Sequence, residues 1–384
     1  MIYFDNSATT AMSPEALATY KETATRIFGN PSSLHALGTT ATRLLEASRK
    51  QIATELGLAP HEIFFTSGGT ESDNWALKGV AFEKEKFGKH IIISAIEHPA
   101  VRNAAEWLTT QGFELDIAPV DHKGFLDIAA FKNLLRDDTI LVSVMAVNNE
   151  IGSIQPLTEI AALLEERPTI SFHVDAVQAL GKIPVSQWLL PRVDFASLSA
   201  HKFHGPRGSG ILVVKSGKRI TPLLHGGGQE NNLRSTTENL PAIAATARTM
   251  RVTLENDTEK QAHVLAMKQV LFDELSAHEN IVIFSGLTDF VPNILTFGIK
   301  GIRGEVVVHA FEEHEIYLST TSACASKKNA AASTLMAMKV KPDIATSAVR
   351  ISLDRTNTMA EVEEFLTVFR QLLTQFERIS AKKA

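Results

Sequence analysis

The sequence predicts an α/β fold: a mainly parallel seven-stranded sheet covered by helices on both faces, followed by a smaller α+β unit. Three observations carry this expectation. Between about residues 63 and 214, short apolar runs alternate with amphipathic stretches of helical period. Gly68, His98, Asn149, Asp175 and Lys202 stand at the carboxyl ends of those runs, where sheets of this kind gather ligands. Past residue 255 the regular alternation stops.

The expected strands are "EIFFTSGG", "HIIISAIEH", "ELDIAPV", "ILVSVMAVNNE", "SFHVDAVQA", "FASLSAHK" and "GILVV". Helices such as "ESDNWALKGVAFEKEK", "PAVRNAAEWLTTQG" and "LTEIAALLEER" lie between most of them. A long helical stretch is expected from about Ala242 to His278. "IVIFSG", "NILTFGI", "EVVVHAF" and "VRISLD" then read as strands of the smaller unit, and "MAEVEEFLTVFRQLLTQFERIS" as a closing amphipathic helix.

Composition narrows the function. With 44% hydrophobic and 21% charged residues, the 384-residue chain can bury a sizeable core. Its net charge of -5 gives no reason to expect a nucleic-acid or anionic-membrane surface. No apolar run approaches the roughly 18 residues that span a bilayer, and "MIYFDNSATT" lacks the basic, apolar start of a signal peptide. A cytoplasmic location is expected. The single cysteine, Cys324, excludes an intrachain disulfide. It is either a small core residue or a reactive thiol. Its neighbours in "STTSACASKKNAAAS" are small and polar, with Lys327 and Lys328 close behind.

Five motifs carry chemistry. In "FFTSGGTESDNWALKG" a strand, two glycines and a helix start form either a plain capped helix, with Thr70 as N-cap and Asp73 in a capping box, or an anion site. It is neither a Walker A motif nor a dinucleotide fingerprint. In "HVDAVQAL", Asp175 ends an apolar strand, either as an N-cap or as partner to a protonated ring nitrogen, with Gln178 three residues on. In "SLSAHKFHGPRG", Lys202 is either an exposed turn lysine or a desolvated amine able to form a Schiff base. "IEHPAV" and "VNNEIG" add His98 and Asn149. Together these describe a phosphate cradle, a carboxylate for a pyridinium, an imidazole that stacks and a Schiff-base lysine, the set that pyridoxal phosphate needs. No metal site is expected.

Taken in order, "YFDNSATT", "FGNPSSLHALG", "TSGGTESDN", "EHPAV", "NNEIG", "HVDAVQ", "SAHKFHGPRG" and "GGGQE" resemble the cysteine desulfurases of the class V aminotransferase group, over nearly the whole chain. The resemblance implies fold type I, a homodimer, pyridoxal 5'-phosphate, and removal of sulfur from L-cysteine to leave L-alanine. It implies that Lys202 holds the cofactor and moves the substrate's α-proton, Asp175 keeps the pyridine nitrogen protonated, Gln178 bonds the phenolic oxygen and His98 stacks on the ring. Gly69, Thr70, Ser199 and His201 would hold the phosphate, and Thr237 would reach the phosphate of the partner subunit, although Thr236 stands where the family has glycine. Arg350, helped by Asn149, would clamp the substrate carboxylate. "TSACAS" resembles the family's long-loop branch, which makes Cys324 the nucleophile that carries sulfur as a persulfide. Lys327 and Lys328 would favour its thiolate, while "KKNAAAS" departs from the family's usual continuation.

The acceptor implied is a tRNA-thiolation enzyme or an iron–sulfur scaffold. The ending "ERISAKKA", without an apolar tail, leans toward the former. Another pyridoxal-phosphate enzyme of the same fold, a selenocysteine lyase or an aminotransferase, is the alternative, and a non-catalytic scaffold is the alternative of a different class. The expected division is a large cofactor-binding domain over 12–255, with 1–11 and 256–384 forming a small domain that carries the cysteine loop.

Overall fold

The computed structural model describes residues 1–255, 257–321 and 333–381. Strand β1 is Ile2–Tyr3. The large sheet holds β2 (Ile63–Thr66), β3 (His90–Ser94), β4 (Glu114–Ala118), β5 (Thr139–Ser143), β6 (Ser171–Asp175), β7 (Phe195–Ser199) and β8 (Gly210–Val214), in the order β2-β8-β7-β6-β5-β3-β4. All seven expected strands are present. The pairings from β7 to β4 are parallel, and β8 runs antiparallel to both its neighbours.

Strands β3, β5, β6, β7 and β8 are buried at every residue, because helices cover both faces. Alternation divides them between two cores. Ile91 and Ile93 of β3 pack with Trp75, Leu77, Val101 and Leu108 of the helices Gly69–Lys84 and Pro99–Thr109. Ile92, between them, packs into the opposite core with Leu45, Ile52, Ile160 and Ile243 of three other helices.

Two expectations for the second half are corrected. The stretch 242–278 is two helices, Leu240–Leu254 and Asp257–Ser276, and Glu255 between them turns to extended backbone (φ -69°, ψ 125°). The break follows from what each helix buries. Ile243, Ala247 and Met250 belong to a core of the large sheet, whereas Val264, Met267 and Leu271 belong to that of the small one. "EVVVHAF" is helix, not strand: Gly304–Glu312 buries Val307 and Phe311, four residues apart, and leaves Val306 half exposed. Helical packing overrides the strand preference of three consecutive valines.

The small sheet contains β9 (Ile281–Ile283), β10 (Ile294–Ile299), β12 (Ser319–Thr320) and β13 (Ala348–Ser352), ordered β12-β13-β10-β9 and antiparallel throughout. Strand β11 (Ile316–Tyr317) pairs in parallel with β1. The helices Asp257–Ser276 and Met359–Ala381 cover this unit. Among the described residues, no helix is long and apolar enough to cross a membrane.

The "GGGQE" segment is fastened by a buried ion pair. Glu230, 7% exposed and in a left-handed conformation (φ 50°), takes two bonds from Arg49 at 2.6 and 2.9 Å and one from the Phe65 backbone at 3.0 Å. Breaking such a pair leaves the other charge buried, which costs roughly 3–5 kcal/mol. Glu230→Ala is expected to lower stability by about 3 kcal/mol in denaturant unfolding. Glu46→Ala, which removes the exposed contact of the same arginine, is expected to change it by less than about 1 kcal/mol.

Candidate active site

A cavity of about 1070 Å³ opens at the carboxyl ends of the central strands. Its lining includes Gly69, Thr70, His98, Asn149, Asp175, Gln178, Ser199, His201, Lys202 and Arg350. Residues spread over 282 positions of the chain, from 69 to 350, thus meet at one place. Thr237 lies outside this lining, exposed on the loop before Leu240. Cys324, Lys327 and Lys328 lie outside the described residues.

Lys202 ends a single 3-10 turn, Ala200–Lys202, directly after β7. Its amine turns inward and donates to the carbonyls of Ser7 at 2.6 Å and Ala8 at 2.8 Å. Half-buried and turned inward, it is not the exposed turn lysine of the two readings. Asp175 ends β6, 4% exposed, with Oδ1 accepting from the Val177 backbone at 2.9 Å. No helix begins there, so the N-cap reading does not hold. Burial pushes the Asp175 carboxyl above its usual range, against the pull of His98 and Lys202. A cationic ring nitrogen beside it would restore the charged form.

His98 caps the helix Pro99–Thr109, its Nδ1 accepting from the Ala100 backbone at 3.1 Å. That bond leaves Nε2 as the protonated nitrogen of the neutral ring. Burial lowers its pKa. His201 is pushed down to about 4, chiefly by burial and then by Lys202, and its Nδ1 lies 3.1 Å from the Thr9 hydroxyl.

The helix Gly69–Lys84 begins two residues earlier than expected. Gly68 is its N-cap and Thr70 lies inside the first turn, so the capping assignment of Thr70 and Asp73 is corrected. Gly68 takes φ 154°, open to glycine, and a Cβ on Gly69 would come 2.7 Å from Val177 Cγ2. Glu71 reaches back to the Ser67 backbone at 2.8 Å instead. Asp73 turns into the interior, where burial and the charge of Asp175 raise its pKa well above the ordinary value. The helix start, the Thr70 and Ser199 hydroxyls and His201 form a donor set suited to a phosphate.

Arg350 of β13 is 5% exposed. It donates to the Asn149 main-chain oxygen at 2.7 Å and to Asp5 Oδ1 at 2.9 Å, while its Nε is buried without a partner among the described residues. Arg350 lines the cavity, where a guanidinium is a place for a carboxylate.

Sequence reasoning missed three parts of this wall. The carbonyls of Ser7 and Ala8 leave no residue-type signal. Asp73 reads as a cap. Glu97 directly precedes His98 in "IEHPAV", and its Oε1 accepts from the Ser94 hydroxyl and, at 2.9 Å, from the Met145 backbone. Burial pushes its carboxyl up to about 8.

An inward lysine, a buried carboxylate, a cavity-facing imidazole and a phosphate cradle at the carboxyl ends of a mainly parallel sheet define a pyridoxal-phosphate site of fold type I. The chain belongs to the class-V aminotransferase family, whose profile matches residues 2–365. It is similar to a NifS/IcsS protein homolog of Lactobacillus delbrueckii subsp. bulgaricus, with 54% identity over 99% of both chains. It is 40% identical to the cysteine desulfurase IscS of Methanosarcina thermophila, over 99% of this chain and 93% of that one. A solved NifS-like protein superposes with a TM-score of 0.92 at 39% identity, covering 97% of this chain and 99% of its own.

Glu97 gives a pH prediction. Its folded carboxyl holds a proton to about 8, whereas an unfolded glutamate releases it near 4.3. Between those values the folded state binds more protons, so this residue makes stability fall as pH rises. Glu97→Gln cannot ionise and keeps an acceptor for Ser94 and Met145. Its melting temperature is expected to decline less than that of the wild type between pH 5 and pH 8.

Proposed function

We infer that this protein is a pyridoxal-phosphate-dependent cysteine desulfurase, which removes sulfur from L-cysteine and leaves L-alanine. The observation that carries the reading is the inward Lys202 amine in one cavity with Asp175, His98 and Arg350. The full-length similarity to proteins named cysteine desulfurase supports it.

Bound pyridoxal phosphate supplies an electron sink for the carbon atoms of the amino acid. The protein's own groups do the rest. The Asp175 carboxylate holds the ring-nitrogen proton, the helix start at Gly69 and Thr70 with Ser199 and His201 holds the phosphate, and Arg350 orients the substrate carboxylate. The freed Lys202 amine takes the α-proton as general base. The Cys324 thiolate attacks the substrate sulfur. An S–S bond forms as the carbon–sulfur bond breaks, the carbon keeps the electron pair, and protonation makes it the methyl group of alanine. Sulfur remains on Cys324 as a persulfide for an acceptor protein of tRNA thiolation or of iron–sulfur assembly.

The protein works as a homodimer in this reading. Phe28, Leu34 and Leu37, in and beside the "FGNPSSLHALG" motif, are 72%, 101% and 50% exposed. Solvent-facing apolar side chains this close together suit a protein interface. Thr237, exposed on its loop, would then serve the partner's phosphate site.

Two tests follow. Purified protein is expected to be yellow and to bleach with a carbonyl-trapping reagent. Lys202→Ala should lose the lysine-linked absorption, and Cys324→Ala should keep the cofactor while losing sulfur transfer. Undiminished alanine and sulfide production by Cys324→Ala would refute its role. In sedimentation, the wild type should run at twice the chain mass and Leu34→Glu should shift toward monomer; a monomeric wild type would end the dimer reading.

A further inference from the structure

A second inward amine, Lys182, lies behind the cavity wall and has no part in the chemistry above. As a residue it is only partly covered, yet its amine is buried and pushed down to about 7, first by burial and then by the charge of Lys202. Its Nζ donates to Gln178 Oε1. Gln178 Nε2 in turn donates to the Ser7 carbonyl at 2.9 Å, the same oxygen that Lys202 meets at 2.6 Å. Lys182 and Lys202 also border one small internal space, of about 30 Å³, beside His204 and Asp354. A continuous chain of hydrogen bonds therefore runs from Lys182 through Gln178 and Ser7 to Lys202.

The chemistry of this chain is directional. In its ammonium form Lys182 has donors only, so the end of the Gln178 amide that faces it is then the carbonyl oxygen. The opposite end, the NH2 group, is left on the side of Ser7 and of the main cavity, which Gln178 lines. The Ser7 carbonyl, which only accepts, favours the same orientation from the other side; with a neutral side chain at position 182 the amide would be held at that one end alone.

We propose that Lys182 is a positioning residue for the cofactor: it fixes the Gln178 amide with its NH2 toward the cavity, so that the protein donates a hydrogen bond to the oxyanion of the pyridine ring. The proposal rests on the pyridoxal-phosphate reading of the site. Lys182 itself touches neither cofactor nor substrate and acts only through Gln178.

The test is equilibrium binding to the full-length protein stripped of cofactor. The probes are pyridoxal phosphate and 3-O-methylpyridoxal phosphate, which lacks the ring oxyanion. Lys182→Met is expected to weaken pyridoxal phosphate about tenfold, the worth of one hydrogen bond to a charged group, and to leave the methylated probe unchanged. Lys182→Arg, which keeps a donor, should restore discrimination. In a Gln178→Leu background, Lys182→Met should add nothing. Equal weakening of both probes, no weakening of either, or an additive loss in the Gln178→Leu background would overturn the proposal. Lys182→Gln, which stays polar yet frees the amide to turn, makes the same comparison should the methionine variant not fold. A wild-type protein that binds neither probe would overturn the cofactor reading itself, an outcome distinct from lost discrimination.

Discussion

The site depends on how an ammonium group is held away from water. Burying a lysine is costly unless its protons find acceptors, and Lys202 finds the carbonyls of Ser7 and Ala8. Those carbonyls are in place because the N-terminal segment is tied to both sheets. Toward the small sheet, Ser352 donates to the Phe4 carbonyl at 2.7 Å, and Ser7 donates to the Ser352 hydroxyl at 2.9 Å. Toward the large sheet, Thr10 donates to the His201 carbonyl at 2.9 Å and Ser13 to that of His204 at 3.0 Å. The reactive amine is thus positioned by a strand end of one unit and by a segment anchored in the other.

The charges around it follow the same economy of partners. His173 lies between the Ser143 hydroxyl at 2.8 Å and that of Ser197 at 2.9 Å, and burial pushes it down to about 3, so it is neutral. Burial holds Glu97 up to about 8, and burial with the charge of Asp175 raises Asp73 well above its ordinary value. Asp175 is raised by burial too, but His98 and Lys202 both pull its carboxyl back down. Several titratable groups share the floor of the cavity, yet the anionic role falls to the one at the end of β6, where a cationic ring would meet it. The upward shifts of Glu97 and Asp73 favour their neutral forms, which lessens like-charge repulsion on Asp175.

Much of this was legible in the sequence because the large sheet is covered on both faces. Its strands are therefore short, continuous apolar runs such as "HIIIS" and "GILVV", and the residues that follow them fall at the ligand-binding edge. The small unit was harder to read. Strands β1, β11 and β12 have two residues each, too few for any period to show. The "EVVVHAF" run carried strand preference, and only packing of Val307 and Phe311 makes it helical. Glu97 was passed over because its partner is a backbone N–H 48 residues away, at Met145. A main-chain contact of that range has no signature in residue type. The same holds for Arg350, which is held by the Asn149 main-chain carbonyl 201 residues away.

The two units also divide the substrate between them. An amino acid presents an amine, which must meet the chemistry at Lys202, and a carboxylate, which Arg350 is placed to receive. Lys202 follows β7 of the large sheet; Arg350 lies within β13 of the small one, paired with Thr296 and Ser319 on its two sides. Ser319 begins β12, and the next residues, Thr320 and Thr321, line the cavity. Cys324 is three residues further along the chain. In the proposed reaction Lys202 and Arg350 would hold the two ends of one substrate, so a shift of β13 relative to the large sheet would move the carboxylate partner with respect to the amine.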